Sequence, residues 1–185
     1  MPYSKEEQAM FDAAKHGSLG AFERVLSLYE RPLFNYVLRL VRHRQDAEDV
    51  TQETFIKFYR HLASLDAEKN GKALLYKIAT NTAYDWLRKK KSRRELFIVD
   101  DPNVHFETID PRSPYHERQA KEDAEVLERA LGRIKPLHRS VLLLFYKQEF
   151  TYQEIAAILS LPLNTVKTAL RRGKAALKNE LPSSS

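Results

Sequence analysis

Residues 71–94 read GKALLYKIATNTAYDWLRKKKSRR, and the spacing of their apolar side chains points to a helix. At helical period Leu75, Ala79, Thr82 and Trp86 fall at i, i+4, i+7 and i+11 and make one apolar face. Lys77, Asn81, Tyr84, Asp85 and Arg88 share the opposite, polar face. The helix then enters a basic block of Arg88, Lys89, Lys90, Lys91, Arg93 and Arg94, interrupted by Ser92. One side can pack on a core while the other offers amides, a ring and cations to a nucleic-acid backbone or to single-stranded bases. A solvated amphipathic helix with a cationic tail, favoured by the helix dipole, has the same pattern. Taken alone, the stretch fits both.

Upstream of it the periodicity is helical throughout. Ser4 with Glu7 forms a capping-box pattern and Gly17 a stop, which predicts a helix over 5–16. A second pattern starts near Leu19 with Phe22, Val25, Leu26 and Tyr29. It resumes after Pro32, which is expected to kink or restart the helix. Asp46 is expected to cap a third helix carrying Val50, Phe55, Phe58, Tyr59 and Leu62, with residues 63–71 as a loop. Downstream, residues 95–123 gather acids (Asp100, Asp101, Glu107, Asp110) among Pro102, Pro111 and Pro114. That composition predicts an extended acidic linker. Helical patterns return from Val126. The expectation is an all-α chain with a helical domain over 1–94, the linker over 95–123, and a second helical domain over 124–185.

The 185 residues carry a formal charge of +6 and are 43% hydrophobic, enough apolar content for two small cores and a basic balance that suits a polyanionic partner. With no cysteine, disulfides and thiolate metal sites are excluded, and the six histidines show no metal-ligand pairing. No metal or other cofactor is expected. The N-terminus is polar, without the apolar run of a signal peptide or anchor, so a cytoplasmic protein is expected.

The second domain contains TYQEIAAIL (151–159), a turn at 160–163, and a helix expected to be capped by Asn164. Val166, Leu170, Gly173 and Leu177 form its back, and Lys167, Arg171, Lys174 and Lys178 its front, with Thr168 and Arg172 nearby. This is a helix-turn-helix pattern whose cationic face suits a major groove. A plain three-helix bundle with a basic surface is the alternative. The acids Asp46, Glu48, Asp49, Glu53 and Asp85 do not converge as a catalytic pair would. Helix-dipole and capping effects account for the cluster at 46–53, and no phosphate loop or nucleophile motif is present. No catalysis is expected.

Four segments resemble the extracytoplasmic-function group of bacterial RNA polymerase sigma factors. They are DAEDVTQETF (46–55), LYKIATNTAYDWLRKK (75–90), TYQEIAAIL (151–159) and PLNTVKTALRRGK (162–174). The resemblance implies a σ2-like bundle and a σ4-like helix-turn-helix domain. Asp46, Asp49, Gln52, Glu53 and Lys57 would meet the β′ clamp helices of core RNA polymerase, with the β flap as a further contact. The loop 64–71, including Leu65, would capture a flipped base of the minus-ten element together with Asn81. Lys77, Tyr84, Asp85, Arg88 and Lys89 would complete that surface. Thr165, Lys167, Thr168, Arg171, Arg172 and Lys174 would read the minus-thirty-five element. The acidic linker would thread the RNA exit path. The resemblance also implies an anti-sigma partner and a place on the nucleoid when active. Gly71 and Leu74 stand where many relatives carry aromatics, Asn164 where they carry glycine, and Ala169 where they carry arginine. A helix-turn-helix regulator acting without polymerase is the rival reading; it would have no use for the acidic helix at Asp46.

Overall fold

The structure, a computed structural model, describes the backbone of residues 4–63, 70–92 and 114–182, with side chains in the last span from residue 122. Among these residues there are eight helices and no strand. They are α1 (Lys5–Lys15), α2 (Leu19–Val41), α3 (Arg44–Leu62), α4 (Gly71–Ser92), α5 (Pro114–Arg133), α6 (Pro136–Tyr146), α7 (Tyr152–Leu159) and α8 (Leu163–Glu180).

Local chemistry starts these helices where side chains can satisfy the orphan amides. Both capping boxes form: Ser4 with Glu7 opens α1, and Thr151 with Glu154 opens α7. Each such cap is worth about 1 kcal/mol. Four starts or breaks differ from expectation. α2 runs through Pro32 without a restart, because Pro32 lies on the solvent side of the helix, where the carbonyl left without its amide partner can bond to water. α3 is capped by His43, whose Nδ1 accepts from the Asp46 amide at 3.4 Å, so Asp46 lies one turn inside. α8 starts at Leu163 behind Pro162, with no side-chain cap, so Asn164 is already helical. α5 begins at Pro114, inside the span read as extended. Proline with its fixed φ suits the first turn of a helix, so here it opens one instead of breaking one. The linker residues 93–113 lie outside the described residues.

The N-terminal core packs α1–α4 around Phe11, Val25, Leu33, Tyr36, Val37, Phe58, Leu75 and Tyr76, all at most 2% exposed. The C-terminal core packs α6–α8 around Val141, Leu144, Ile155, Ile158 and Val166. The two cores are continuous, because α4 packs on α7 and α2 packs on α5 and α6. α4, the helix of the opening stretch, is enclosed by α2, α3 and α7.

Candidate functional site

Three surfaces emerge from this packing. The first is a groove of about 1510 Å³ on the outer side of α2 and α3. Its floor is apolar (Phe22, Leu26, Phe34, Phe55, Ile56, Tyr59), and Glu30, Arg31, Arg44, Glu48 and Asp49 supply charges around it. Leu19, Ile56 and Tyr59 are 65%, 48% and 58% exposed, an unusual concentration of large apolar side chains facing water. Thr51 also lines the groove, and its Oγ1 is buried with no hydrogen-bond partner.

Of the five residues expected on the docking helix, two line this groove, two contact α4 and one, Glu53, pairs within α3. Asp49 and Gln52 are exposed and line the groove. Asp46 is turned inward, its Oδ2 3.1 Å from Lys90 of α4 and 3.1 Å from His43. Glu53 pairs with Lys57 at 2.7 Å, and Lys57 also donates to Thr82 of α4 at 3.2 Å. Asp46 and Lys57 thus fasten α3 to α4, while Glu53 is exposed and paired within α3.

The second surface is α4. Its buried side is wider than the expected stripe: Tyr76, Thr80 and Ala83 join Leu75, Ala79 and Thr82. Thr80 donates to the Tyr76 carbonyl, so the Tyr36 hydroxyl donates to Thr80 at 2.7 Å. Burial pushes the phenols of Tyr36 and Tyr76 well above their usual range, so both remain neutral donors. Trp86 is half-buried under the Lys90 ammonium, 4.6 Å from its ring centre. Asn81, Arg88 and Lys89 are exposed, and Lys77 and Asp85 half-buried. Arg88 donates to Asp85 at 2.7 Å, but with side chains 78% and 48% exposed that pair is worth about 0–1 kcal/mol and leaves Arg88 available to a phosphate. Tyr84 behaves differently. Its hydroxyl meets Ser140 of α6 at 2.7 Å, and burial raises its pKa. Since Ser140 donates to the Pro136 carbonyl, Tyr84 is the donor in that pair.

Leu65 and the rest of the expected base-capturing segment, 64–69, lie outside the described residues. Its far end is described: Asn70 caps α4 by accepting from the Ala73 amide at 3.2 Å. Gly71 is buried, and a Cβ there would lie 2.5 Å from the Phe11 ring. The glycine therefore has a structural cause, since the space is filled by an aromatic ring from α1.

The third surface is α8. Thr165, Lys167, Arg171, Arg172 and Lys174 are exposed, Thr168 is half-buried, and Val166, Ala169, Leu170 and Gly173 form the buried back. Ala169 is 4% exposed and belongs to that back, so the cationic face is complete without it. A pocket of about 290 Å³ at the start of α8 is lined by His138, Asn164, Thr165, Thr168 and Arg172, among others. Burial, and then the charges of Lys135 and Arg172, hold the His138 pKa below its ordinary value. Lys174 lies 5.3 Å from the Tyr146 ring centre.

Sequence reasoning missed Arg139, although a lone arginine inside the apolar run PLHRSVLLLF was the available signal. Arg139 is 5% exposed and donates to five backbone carbonyls: Leu131 at 2.8 Å, Gly132 at 2.7 Å, Ile134 at 3.2 Å, Arg39 at 3.0 Å and Leu40 at 3.2 Å. Among the described residues there is no group of acids and histidines placed to hold a metal, and no helix long and apolar enough to cross a membrane.

Known proteins share this organisation. The Sigma-70 region 2 family matches residues 25–93, and the Sigma-70, region 4 family matches residues 124–177. The RNA polymerase sigma factor YlaC of Bacillus subtilis is 32% identical over 164 residues, covering 89% of this chain and 94% of its own. The ECF RNA polymerase sigma factor SigW of the same organism is 29% identical over 172 residues, covering 90% and 92%. Among solved structures, the sigma factor RpoE of Bartonella quintana, in complex with the anti-sigma factor NepR, has a similar fold. Its TM-score is 0.70 at 24% identity, covering 89% of this chain and 98% of that one. The chain belongs to the sigma-70 family, in the extracytoplasmic-function group of RNA polymerase sigma factors.

Proposed function

We propose that this sigma factor joins core RNA polymerase through the α2–α3 groove, opens promoter DNA along the exposed polar strip of α4, and reads the minus-thirty-five element with the front of α8. The groove is the observation that carries the reading. A helix-turn-helix protein acting alone needs only its basic helix. This chain adds, on a different face, an apolar channel with acids beside it and an unsatisfied hydroxyl at Thr51. The channel suits a partner's helices, which would cover its apolar floor and meet Asp49 and Gln52. The β′ clamp helices are the partner that the family suggests.

The other two surfaces fit the remaining steps. Lys167, Arg171, Arg172 and Lys174 offer donors to guanine edges and phosphates, and Thr165 and Thr168 add hydroxyls. On α4, Arg88 and Lys89 are cations for the non-template strand, with Lys77 alongside, while Asn81 has an amide able to pair with an unstacked base. The chain itself then carries out no covalent chemistry. Its work is recruitment, recognition and strand separation. An anti-sigma factor is a further proposed partner, supported by the similar fold solved with NepR. A cytoplasmic location, on the nucleoid when active, accords with this role.

Asp49→Arg tests the reading at the groove. It reverses an exposed charge that the chain does not use for packing. The variant is expected to keep its melting temperature and to lose at least about tenfold in affinity for purified core polymerase, which corresponds to roughly 1.4 kcal/mol. Unchanged affinity for core would remove the groove from the docking role.

A further inference from the structure

Asp46 opens the motif that the family resemblance assigns to polymerase, yet its side chain is 18% exposed and directed at another helix. It stands in the first turn of α3, where the helix dipole favours a carboxylate. From there its Oδ2 accepts from the Lys90 ammonium of α4 at 3.1 Å. The Lys90 side chain is 27% exposed, and its ammonium lies 4.6 Å from the ring centre of Trp86, one turn back on the same helix. Carboxylate and ring together hold the cation. Farther back along α4, Lys57 of α3 donates to Thr82 at 3.2 Å, so the two helices are bound at both ends of the segment 82–90.

The consequence falls on the opposite side of α4. Arg88, Lys89, Lys90 and Lys91 crowd their charges into the end of one helix, and like charges on neighbouring helical positions repel. Lys90 is half-buried, while Arg88, Lys89 and Lys91 are exposed. At about 100° per residue, an inward Lys90 places Arg88 on the far side of the helix and Lys89 and Lys91 on its flanks. Asn81 and Arg88, at i and i+7, share that far side. They stay in line only while the last turn remains wound. The anchor at Lys90 keeps it so, by compensating one cation of the run and tying it to α3.

We infer that Asp46 is a positioning residue for strand opening, which acts through Lys90 to keep the end of α4 wound, with Arg88 and Lys89 aligned to Asn81. That role rests on the reading of α4 as the DNA-facing helix, and it takes Asp46 out of the polymerase contact. Its sign is opposite to that of simple electrostatics. An acid near a cationic strip repels phosphate, so by charge alone its removal would strengthen DNA binding. A frayed helix end, in contrast, must be ordered each time DNA binds, and that ordering weakens binding.

Asp46→Ala, Lys90→Met and the double variant are compared with the parent in the full chain. Asp46→Asn, which keeps the side-chain shape, replaces Asp46→Ala if the alanine variant fails to fold. Amide hydrogen exchange over residues 86–92 reads the end of α4 in the free chain. Affinity for purified core polymerase, and permanganate reactivity of promoter thymines in the holoenzyme, are read in parallel. Three results together support the role: faster exchange over 86–92 in each single variant with no further rise in the double, unchanged core affinity, and about a fivefold loss of thymine reactivity in Asp46→Ala. Unchanged exchange, additive losses in the double variant, equal or greater strand opening, or a loss of core affinity in Asp46→Ala each overturns it. A parent that opens no promoter would remove the functional reading, while the exchange measurement would still decide whether Asp46 holds α4.

Discussion

α4 and α8 are built from the same kind of sequence and end in opposite situations. Each has an apolar stripe at helical spacing and a cationic front. α8 packs its stripe on α6 and α7 and leaves its front open. α4 is gripped by α2, α3 and α7, and its polar side is shared among a fastening to α3, a contact with α6, and an open remainder at Asn81, Arg88 and Lys89. Periodicity identifies the side of a helix that must be buried. It says nothing of what covers the other side, because polar contacts between distant segments leave no period in the sequence.

Packing gives the widest contrast between the two helices. Leu75→Ala, in the fully enclosed centre of α4, is expected to cost about 2–5 kcal/mol in urea unfolding. Leu177→Ala, on the half-buried end of α8, should cost clearly less. Equal losses would mean that α4 is no more enclosed than α8.

The glycines sharpen the same contrast. Gly71→Ala pushes a methyl against the Phe11 ring and is expected to destabilise by about 1–3 kcal/mol. Gly173→Ala meets the backbone and Cβ of His138 at 3.3 Å, a tight contact offset by the better helix propensity of alanine, about 1 kcal/mol. It should be near neutral, as thermal melts of the two variants would establish.

On DNA, the exposed front of α8 should act without reorganisation. Lys167→Ala is expected to weaken duplex binding across sequences and to lower the slope of log affinity against log salt by about one. Lys89→Ala should produce its loss mainly in strand opening, measured as permanganate reactivity of unpaired thymines on a promoter bound by the holoenzyme. A large effect of Lys89→Ala on duplex binding by the free chain would erase the distinction between the two helices.

The smallest expected effect is on pH. His138, with its pKa lowered mainly by burial, binds fewer protons folded than unfolded, so stability contributed at neutral pH is lost as pH falls below 6.5. In the N-terminal domain burial opposes ionisation of Glu7, but hydrogen bonds from Tyr29 and Ser4 and the Lys72 charge prevail and lower its pKa. Its contribution is present above 4.5 and is lost as pH falls through the folded value. Melting curves of His138→Gln and Glu7→Gln should each flatten in its own window.

The parts of the fold written in local chemistry were legible. Ser4 with Glu7 and Thr151 with Glu154 announce their helices, and the Val166–Leu170–Gly173 stripe orients α8. The restart allowed for at Pro32 and the break expected at Pro114 do not occur, because proline breaks a helix only where its missing amide is needed or its ring collides. Pro32 faces solvent within α2, and Pro114 stands at the first turn of α5. At the candidate sites, Asp49 and Gln52 were named from the family resemblance, and both are exposed along the groove. Asp46 looked the same by position but is taken up by Lys90, a partner from another helix. The partners of Arg139, of Glu128 (Arg39) and of Gln148 (Tyr76) were invisible for the same reason, since they are between 72 and 100 residues away for the contacts that join the domains.

The central claim, that this chain directs core RNA polymerase to promoters, is tested most directly by run-off transcription. Purified core polymerase is supplied with genomic fragments, with and without the full chain. Discrete transcripts that require the chain and disappear with Asn81→Ala, while the complex with core remains, are the predicted result. Absence of both a stable complex and any promoter-selective transcript would contradict it.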